Sequence, residues 1–264
     1  MNIILSKLFV QWNNPVQYSL NSPTPIFLNE LMGKIISLRW TGKIYCANCN
    51  KNISKTYGEG YCYPCFISVP QASPCVINPE LCRAHLGEGR DIEWEKKYHL
   101  QLHNVYLSFT SGIKVGITRK DNILTRWIDQ GAIFALVIAE TPNRYLAGLI
   151  EVALKNQYAD KTSWQKMLCS KQQENTDLLV ERDKINQFLS SELQHYLKED
   201  EKLTTIKYPH ILYPQKVQSI RLEKTPFFEK ELVGIKGQYL IFSDSTVINL
   251  RNHTGFNVEF TSKN

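Results

Sequence analysis

The hydrophobic positions in the middle of the chain predict a β-hairpin followed by a helix. Two apolar runs, at 105–109 and 113–118, are separated by Thr110-Ser111-Gly112, the short spacing at which neighbouring strands pair. The pair Asp121-Asn122 can cap a helix, and Gly131 lies where a C-cap glycine would end it. The pattern therefore changes from period two to helical spacing within about 15 residues.

A buried strand and further helices are predicted next. Residues 132–139 form a nearly continuous apolar run, which is typical of a buried strand. Thr141 and Pro142 can serve as N-cap and first helical residue of a helix that continues to about Tyr158. Apolar residues at helical spacing over 178–196 predict an additional amphipathic helix.

The two ends of the chain have the shorter period of strands. Residues 34–40 alternate, and Thr41-Gly42 predicts a turn into a second strand, so we expect a hairpin before the first cysteines. Short strands are expected in the C-terminal part at 217–222, 238–242, 246–250 and 256–260. They indicate a small antiparallel sheet or barrel, and the pattern leaves open whether it shares a sheet with the 34–43 hairpin.

We therefore predict an α+β fold in three parts. They are a zinc-binding β module at 1–103, an α/β domain at 104–200 and a small β module at 201–264. With 264 residues and 43% hydrophobic composition, the chain can bury one or two cores without depending on metal alone. The sequence has neither a spanning apolar stretch nor a signal peptide, so we expect a cytoplasmic protein that does not enter the membrane.

Charge adds a candidate binding surface. The chain has 31 basic and 25 acidic residues, a weak bias toward polyanions. Four of the basic residues fall in one short stretch with only Asp121 against them: Lys114, Arg119, Lys120 and Arg126. We expect these four side chains to contact the phosphates of a nucleic acid, either DNA or RNA.

Four cysteines have the spacing of a structural zinc site. Cys46 and Cys49 form one pair with two intervening residues, and Cys62 and Cys65 form another. At that spacing a single turn can present two sulfurs to a tetrahedral ion, and four thiolates leave no open position for catalysis. The alternative is a thioredoxin-like redox pair, which requires a strand-to-helix context that neither pair has.

A second, looser set of metal-binding residues follows. It consists of Cys75, Cys82, His85, His99 and His103. On a helix, His99 and His103 would lie on one face, so Cys75, Cys82, His99 and His103 are the candidate ligands for a second zinc ion. The alternative is that these are packed or surface side chains without metal.

The middle part resembles the catalytic domain of GIY-YIG nucleases over about residues 104–160. Asn104-Val105-Tyr106 and Lys114-Val115-Gly116 lie where that family has its two tripeptides, with Asn104 and Lys114 in place of the usual glycine and tyrosine. Arg126 and Glu151 match the arginine and glutamate of the helices that follow. The resemblance implies a three-stranded sheet with helices and a metal-dependent phosphodiesterase.

The wider chain also resembles a domain-of-unknown-function family of bacteria and archaea. The segments that carry this resemblance are 62–66, 116–119, 127–132 and 234–240. It covers most of the chain and implies no established activity.

The nuclease resemblance assigns a role to each candidate catalytic residue. Glu151 would bind Mg²⁺ or Mn²⁺, with room left by the small residues Ala147 and Gly148, and Arg126 would hold a phosphate. Tyr106 would orient or deprotonate the attacking water, with Lys114 lowering the pKa of its phenol.

Two functions from different classes follow, and a third stays open. Our leading expectation is a nucleic-acid-binding phosphodiesterase with structural zinc. The rival is a non-catalytic, zinc-containing adaptor for DNA or RNA with the same fold, which the lysine at 114 favours. A protein-binding scaffold would be indicated by the absence of nucleic-acid affinity at modest salt.

Overall fold

The computed structural model describes residues 1–158, 163–169, 177–199 and 202–263. The strands are β1 (Asn2–Ile4), β2 (Phe9–Gln11), β3 (Gln17–Leu20), β4 (Ile26–Phe27), β5 (Ile35–Tyr45), β6 (Asn52–Ile53), β7 (His103–Phe109), β8 (Ile113–Arg119), β9 (Phe134–Thr141), β10 (Thr204–Thr205), β11 (Gln218–Ser219), β12 (Phe227–Lys236), β13 (Tyr239–Phe242), β14 (Thr246–Asn249) and β15 (Phe256–Lys263). The helices are α1 (Tyr63–Ser68), α2 (Ile92–His99), α3 (Ile123–Asp129), α4 (Arg144–Lys155), α5 (Trp164–Cys169), α6 (Leu178–Asp183) and α7 (Ser191–Gln194). The predicted α+β class is confirmed.

The largest sheet joins the two ends of the chain. Its order is β1-β15-β5-β12-β13-β14-β11, and β6 also pairs with β5. β5 pairs antiparallel with β12 on one side and β15 on the other. The first and third predicted parts therefore share a sheet, whereas the division into three domains stays a prediction. Its boundary at 200–201 lies outside the described residues.

The predicted turn at Thr41-Gly42 is wrong. β5 is continuous through these residues, and its register with β15 shifts between the pairs Ile44↔Phe256 and Trp40↔Val258. Gly42 has a φ of 81° at this irregularity, a conformation that glycine adopts without strain. The local sequence predicts a reversal here, but β5 pairs with β15 both before and after Gly42, so this glycine lies at a bulge.

A second sheet carries the predicted hairpin. Its order is β10-β9-β7-β8, with β7 antiparallel to both β8 and β9. Every residue of β7 is buried, because the sheet is covered on both faces. Val105 and Leu107 pack in a core with residues of α4 and α6, whereas Tyr106 packs in the core that lines the large sheet.

The helix after β9 begins later than predicted. Thr141 stays in β9, and α4 starts at Arg144. Asn143 is the N-cap, and its side chain accepts a hydrogen bond from the amide of Leu146 at 3.0 Å. Asparagine is a better N-cap than threonine, so the helix begins after it.

The single helix predicted over 178–196 is also wrong. The segment divides into α6, a 3-10 turn at Ile185–Phe188 and α7. Leu189 is extended, with φ −108° and ψ 144°, which separates the last two pieces.

The described residues contain no helix with both the length and the hydropathy needed to cross a bilayer.

Candidate metal centres and an adjoining basic cavity

The four-cysteine cluster consists of Cys46, Cys49, Cys62 and Cys65. Cys46 follows the end of β5, and Cys62 is the N-cap of α1, so a strand end and a helix start present the two pairs. The four sulfurs lie within 4.8 Å of one another, and those of Cys49 and Cys62 are 3.8 Å apart. Tetrahedral Zn–S bonds of about 2.3 Å place sulfurs roughly 3.8 Å apart, so this cluster could hold a metal ion such as zinc.

Polar groups around the four-cysteine cluster favour thiolates. The amide of Cys62 donates to the sulfur of Cys46 at 3.2 Å, and the side-chain amide of Asn48 donates to the sulfur of Cys65 at 3.4 Å. Burial opposes ionisation of Cys46, but donated backbone hydrogen bonds lower its pKa to about 6. Such donors orient and stabilise metal-bound sulfur.

The mixed cluster consists of Cys75, Cys82, Glu95 and His99. One ligand atom from each lies within 4.8 Å of the others, and all four residues are buried. Nδ1 of His99 is 3.5 Å from the sulfur of Cys82 and 4.0 Å from that of Cys75, and it contacts a carboxylate oxygen of Glu95. The sequence-based ligand set is therefore corrected at one position, because Glu95 lies where we expected His103.

His103 lies outside the mixed cluster. It is the first residue of β7 rather than part of α2, which ends at His99, so the two imidazoles do not share a helix face. Nδ1 of His103 is 2.8 Å from the carbonyl of Gln101. His85 is also elsewhere, because its ring stacks on Tyr145 with centroids 4.5 Å apart.

Arg144 connects the mixed cluster to helix α4. Its Nε donates to the carbonyl of Cys75 and its Nη2 donates to the carbonyl of Val76, each at 2.9 Å. Burial lowers the pKa of this guanidinium, and the thiols of Cys75 and Cys82 oppose that effect. Arginine remains protonated in proteins, so Arg144 places a positive charge beside the cluster.

A cavity of about 400 Å³ opens next to the mixed cluster. Three arginines line it, Arg119 from β8, Arg126 from α3 and Arg144 from α4, together with the aromatic rings of Trp94 and Tyr98 from α2. In the described part of the chain, no carboxylate lies within ion-pair distance of Arg126 or Arg144. The guanidinium of Arg119 lies over the ring of Tyr98, 4.9 Å from its centroid.

The other two residues of the predicted basic surface lie elsewhere. The ammonium of Lys120 is 2.8 Å from a carboxylate oxygen of Glu140, away from the cavity. Lys114 lies opposite Ser108 in the strand register near the tip of the β7–β8 hairpin, and it does not line the cavity. Of the four predicted basic residues, Arg119 and Arg126 therefore line the cavity, whereas Lys114 and Lys120 do not.

The candidate catalytic residues are partly brought together. Nε of Arg126 donates to the hydroxyl of Tyr106 at 3.4 Å, and that hydroxyl donates to Gln130 at 2.8 Å. Burial raises the pKa of Tyr106, which opposes the lowered pKa that we expected from Lys114. Tyr106 is fully buried against Gly116 and Trp127, so its ring does not face an open groove.

The space beside Glu151 is also different from our expectation. A Cβ at Gly148 would lie 2.4 Å from the amide nitrogen of Glu80, so the small residue accommodates the 3-10 turn Pro79–Leu81 instead of an ion. Burial raises the pKa of Glu151, and the nearby carboxylate of Glu80 adds to this. Among the described residues, the buried Oε2 of Glu80 has no hydrogen-bond partner.

Sequence reasoning missed Glu95, Arg144 and Glu80. Glu95 is four residues before His99, a spacing that places both on one helix face, and this signal could have found it. Arg144 and Glu80 carry no local signal, because their positions depend on the packing of α4 against the turn at 79–81.

The chain matches the model of a family described as "Protein of unknown function (DUF2797)" over residues 33–258. This range includes both clusters and the cavity. No curated protein and no solved structure matches the chain.

Proposed function

Because the chain belongs to the DUF2797 family of proteins of unknown function, we propose a function from the site itself: binding of nucleic acid through the arginine cavity. The observation that carries this proposal is the convergence of Arg119, Arg126 and Arg144, from three different elements, on one open cavity. In the described part of the chain, Arg126 and Arg144 have no carboxylate within ion-pair distance, whereas Nε of Arg119 is 3.6 Å from a carboxylate oxygen of the exposed Asp121. Guanidinium groups can bind phosphate bidentately, so the three side chains are suited to it.

The aromatic wall supports nucleic acid over a free anion. Trp94 and Tyr98 are half-buried on the side of α2 that faces the cavity, where their rings can contact a base. A volume of about 400 Å³ is in the range of small-ligand sites, roughly 300–1,000 Å³, so it suits one unpaired nucleotide. We therefore expect single-stranded DNA or RNA to bind more tightly than a duplex. We also expect the protein to act in the cytoplasm, where cysteine thiols stay reduced and can bind metal.

Binding is tested by fluorescence anisotropy with labelled single-stranded and duplex oligonucleotides over a salt series. The double variant Arg119→Gln/Arg126→Gln should bind more weakly and show a salt slope reduced by about 1.4 for a single strand, because two phosphate contacts are lost. Lys120→Gln is the matched control, since it removes a neighbouring charge that pairs with Glu140. Equal effects of the double variant and the control would refute the proposed surface.

A second candidate is a metal-dependent phosphodiesterase of the GIY-YIG type. The proximity of Arg126 to Tyr106, and of Glu80 to Glu151, supports it, because two carboxylates beside an arginine could hold Mg²⁺ or Mn²⁺ and a phosphate. The metal would polarise the scissile phosphate. The burial of Tyr106 makes binding without catalysis the better-supported proposal.

The two candidates are separated by assaying cleavage of DNA and RNA with Mg²⁺ or Mn²⁺. If the protein is a nuclease, Glu151→Gln should abolish cleavage and leave binding intact or tighter, because it removes a carboxylate near the phosphate. An active protein whose Glu151→Gln variant stays active would exclude this metal site. If the wild type cleaves none of these substrates, nucleic-acid binding without catalysis is the remaining proposal.

A further inference from the structure

Helix α2 buries the wrong residues for an ordinary amphipathic helix. Its buried positions are Glu95 and His99, each 3% exposed, whereas Ile92 is 47% exposed. Hydrophobic burial normally places the apolar side chain inside and leaves the carboxylate in water. Some other interaction must therefore hold this face of α2 against the protein.

The segment that faces α2 has only a small buried apolar cluster among the described residues, formed by Cys75, Cys82 and Ala84. Between residues 70 and 90 it consists of short 3-10 turns, and most of its large apolar side chains point outward: Val76, Ile77, Leu81 and Leu86. Its buried side chains include Cys75 and Cys82, which meet Glu95 and His99. The buried contact between these turns and α2 therefore includes four metal-binding groups.

We propose that Cys75, Cys82, Glu95 and His99 bind a second zinc ion that holds the 70–90 segment and helix α2 together. The ligand atoms are the two sulfurs, Nδ1 of His99 and a carboxylate oxygen of Glu95. Two thiolates, an imidazole and a carboxylate suit Zn²⁺, whereas Mg²⁺ and Ca²⁺ prefer all-oxygen sites. Four protein ligands leave no open position, so the ion is structural.

Charge supports a divalent cation at this position. A carboxylate and thiolates buried together are costly unless a positive charge compensates them. With a neutral imidazole, two thiolates, one carboxylate and Zn²⁺ carry a net charge of about −1 by the charges of these ligand types. Arg144, which donates to the carbonyls of Cys75 and Val76, adds the neighbouring positive charge. This inference does not depend on the proposed nucleic-acid binding.

The first test is the zinc content of protein purified without chelator. Wild type should contain about two equivalents, and Cys75→Ser/Cys82→Ser and Cys46→Ser/Cys49→Ser should each retain about one. A wild type with one equivalent, all of it lost in the Cys46→Ser/Cys49→Ser variant, would overturn the proposal. So would a Cys75→Ser/Cys82→Ser variant that keeps two.

X-ray absorption on the wild type avoids any dependence on the folding of variants. The two clusters together should give an average of about three sulfur and one nitrogen or oxygen ligand per zinc. An average of four sulfurs would mean that only the four-cysteine cluster binds zinc, which would refute the second site.

The identity of the fourth ligand is tested with three single substitutions. Glu95→Gln should weaken zinc retention at one site by at least about tenfold in a chelator competition, because even loss of an outer-shell partner costs that much. Glu93→Gln on the exposed side of α2 is the matched control, and His103→Gln should also retain both ions. Loss of zinc in His103→Gln but not in Glu95→Gln would replace our ligand set with the one suggested by sequence.

Discussion

The four-cysteine cluster and the mixed cluster each gather four potential ligands, but they are built in different ways. In the first, two pairs with two-residue spacers come from the end of β5 and the start of α1. In the second, two cysteines come from irregular turns, and Glu95 and His99 come from one face of α2. The comparison shows that the ligands of a site made from local turns can be predicted from their spacing in the sequence. The ligands of a site made by packing can be identified only from the tertiary structure.

The clusters also differ in their surroundings. The four-cysteine cluster has only a few apolar neighbours, including Val69 and Ile53, and it stands beside the large sheet. The mixed cluster is attached to α4 through Arg144 and adjoins the arginine cavity. We therefore expect loss of the first to affect local order most, and loss of the second to affect ligand binding as well.

The largest effect should follow from Cys65→Ser. A structural zinc site contributes on the order of 10 kcal/mol of apparent binding energy, and residues 46–69 have little other core. The variant should lose one zinc equivalent, melt at a lower temperature and become cleavable by protease within 46–69. Cys169→Ser, which removes a lone half-buried cysteine outside both clusters, is the control. Unchanged melting and proteolysis of Cys65→Ser would mean that packing alone maintains this region.

Gly148→Ala should destabilise the contact between α4 and the turn that carries the mixed cluster. Alanine is favoured over glycine in a helix by about 1 kcal/mol, but its Cβ would lie 2.4 Å from the amide nitrogen of Glu80. Because backbone cannot move aside cheaply, we expect a net loss of about 1–3 kcal/mol in the free energy of unfolding, measured by denaturant titration. Val152→Ala, at an exposed position of α4, should change it by less than about 0.5 kcal/mol. A stabilised Gly148→Ala would show that the turn is loosely held.

His103 should make stability depend on pH without binding metal. Burial lowers its pKa from 6.5 to about 4, so the folded protein keeps this imidazole neutral where the unfolded chain takes up a proton. The contribution of neutral His103 to the free energy of unfolding is complete above pH 6.5 and is lost as the pH falls toward 4.

The measurement compares wild type with His103→Gln by denaturant unfolding across this range. Between pH 6.5 and about pH 5, wild type should lose about 2 kcal/mol more than the variant, at about 1.4 kcal/mol per pH unit for one proton. Metal loss at low pH is common to both proteins and cancels in the difference. Parallel pH profiles would mean that His103 is hydrated or paired in the folded protein.

The smallest effect concerns the affinity for single-stranded nucleic acid. It depends both on nucleic-acid binding in the arginine cavity and on zinc binding by the mixed cluster. Cys82→Ser should weaken binding of a single-stranded oligonucleotide about tenfold, or ~1.4 kcal/mol, because the carbonyls that hold Arg144 lose their anchoring. Cys65→Ser should leave this affinity nearly unchanged, since its cluster does not line the cavity. Anisotropy titrations of the two variants at one salt concentration make the comparison. Equal losses of affinity in the two variants would show that the mixed cluster supports nucleic-acid binding no more than the four-cysteine cluster does.

The strand and helix order from β7 to α4 was predictable from sequence, because periodicity and capping are properties of neighbouring residues. The long strand β12 was missed, since its mixture of charged and apolar residues gives no clean alternation. Its place in the sheet depends on pairing with β5, almost 200 residues earlier in the chain. Among the site residues, Arg119 and Arg126 were predicted as two of four basic residues on one surface, and only these two of the four line the cavity. Arg144 was not predicted, because its contribution depends on where α4 packs.

The sequence by itself determined the four-cysteine cluster and the hairpin that presents Arg119, because two-residue spacers and a short turn fix geometry over a few residues. Tertiary structure decided that Tyr106 is buried, that Gly148 accommodates a turn, and that Glu95 replaces His103 beside the cysteines. These outcomes depend on which faces of a sheet or helix are covered by distant segments. Residue spacing limits which side chains can share a face, but only packing selects what that face contacts.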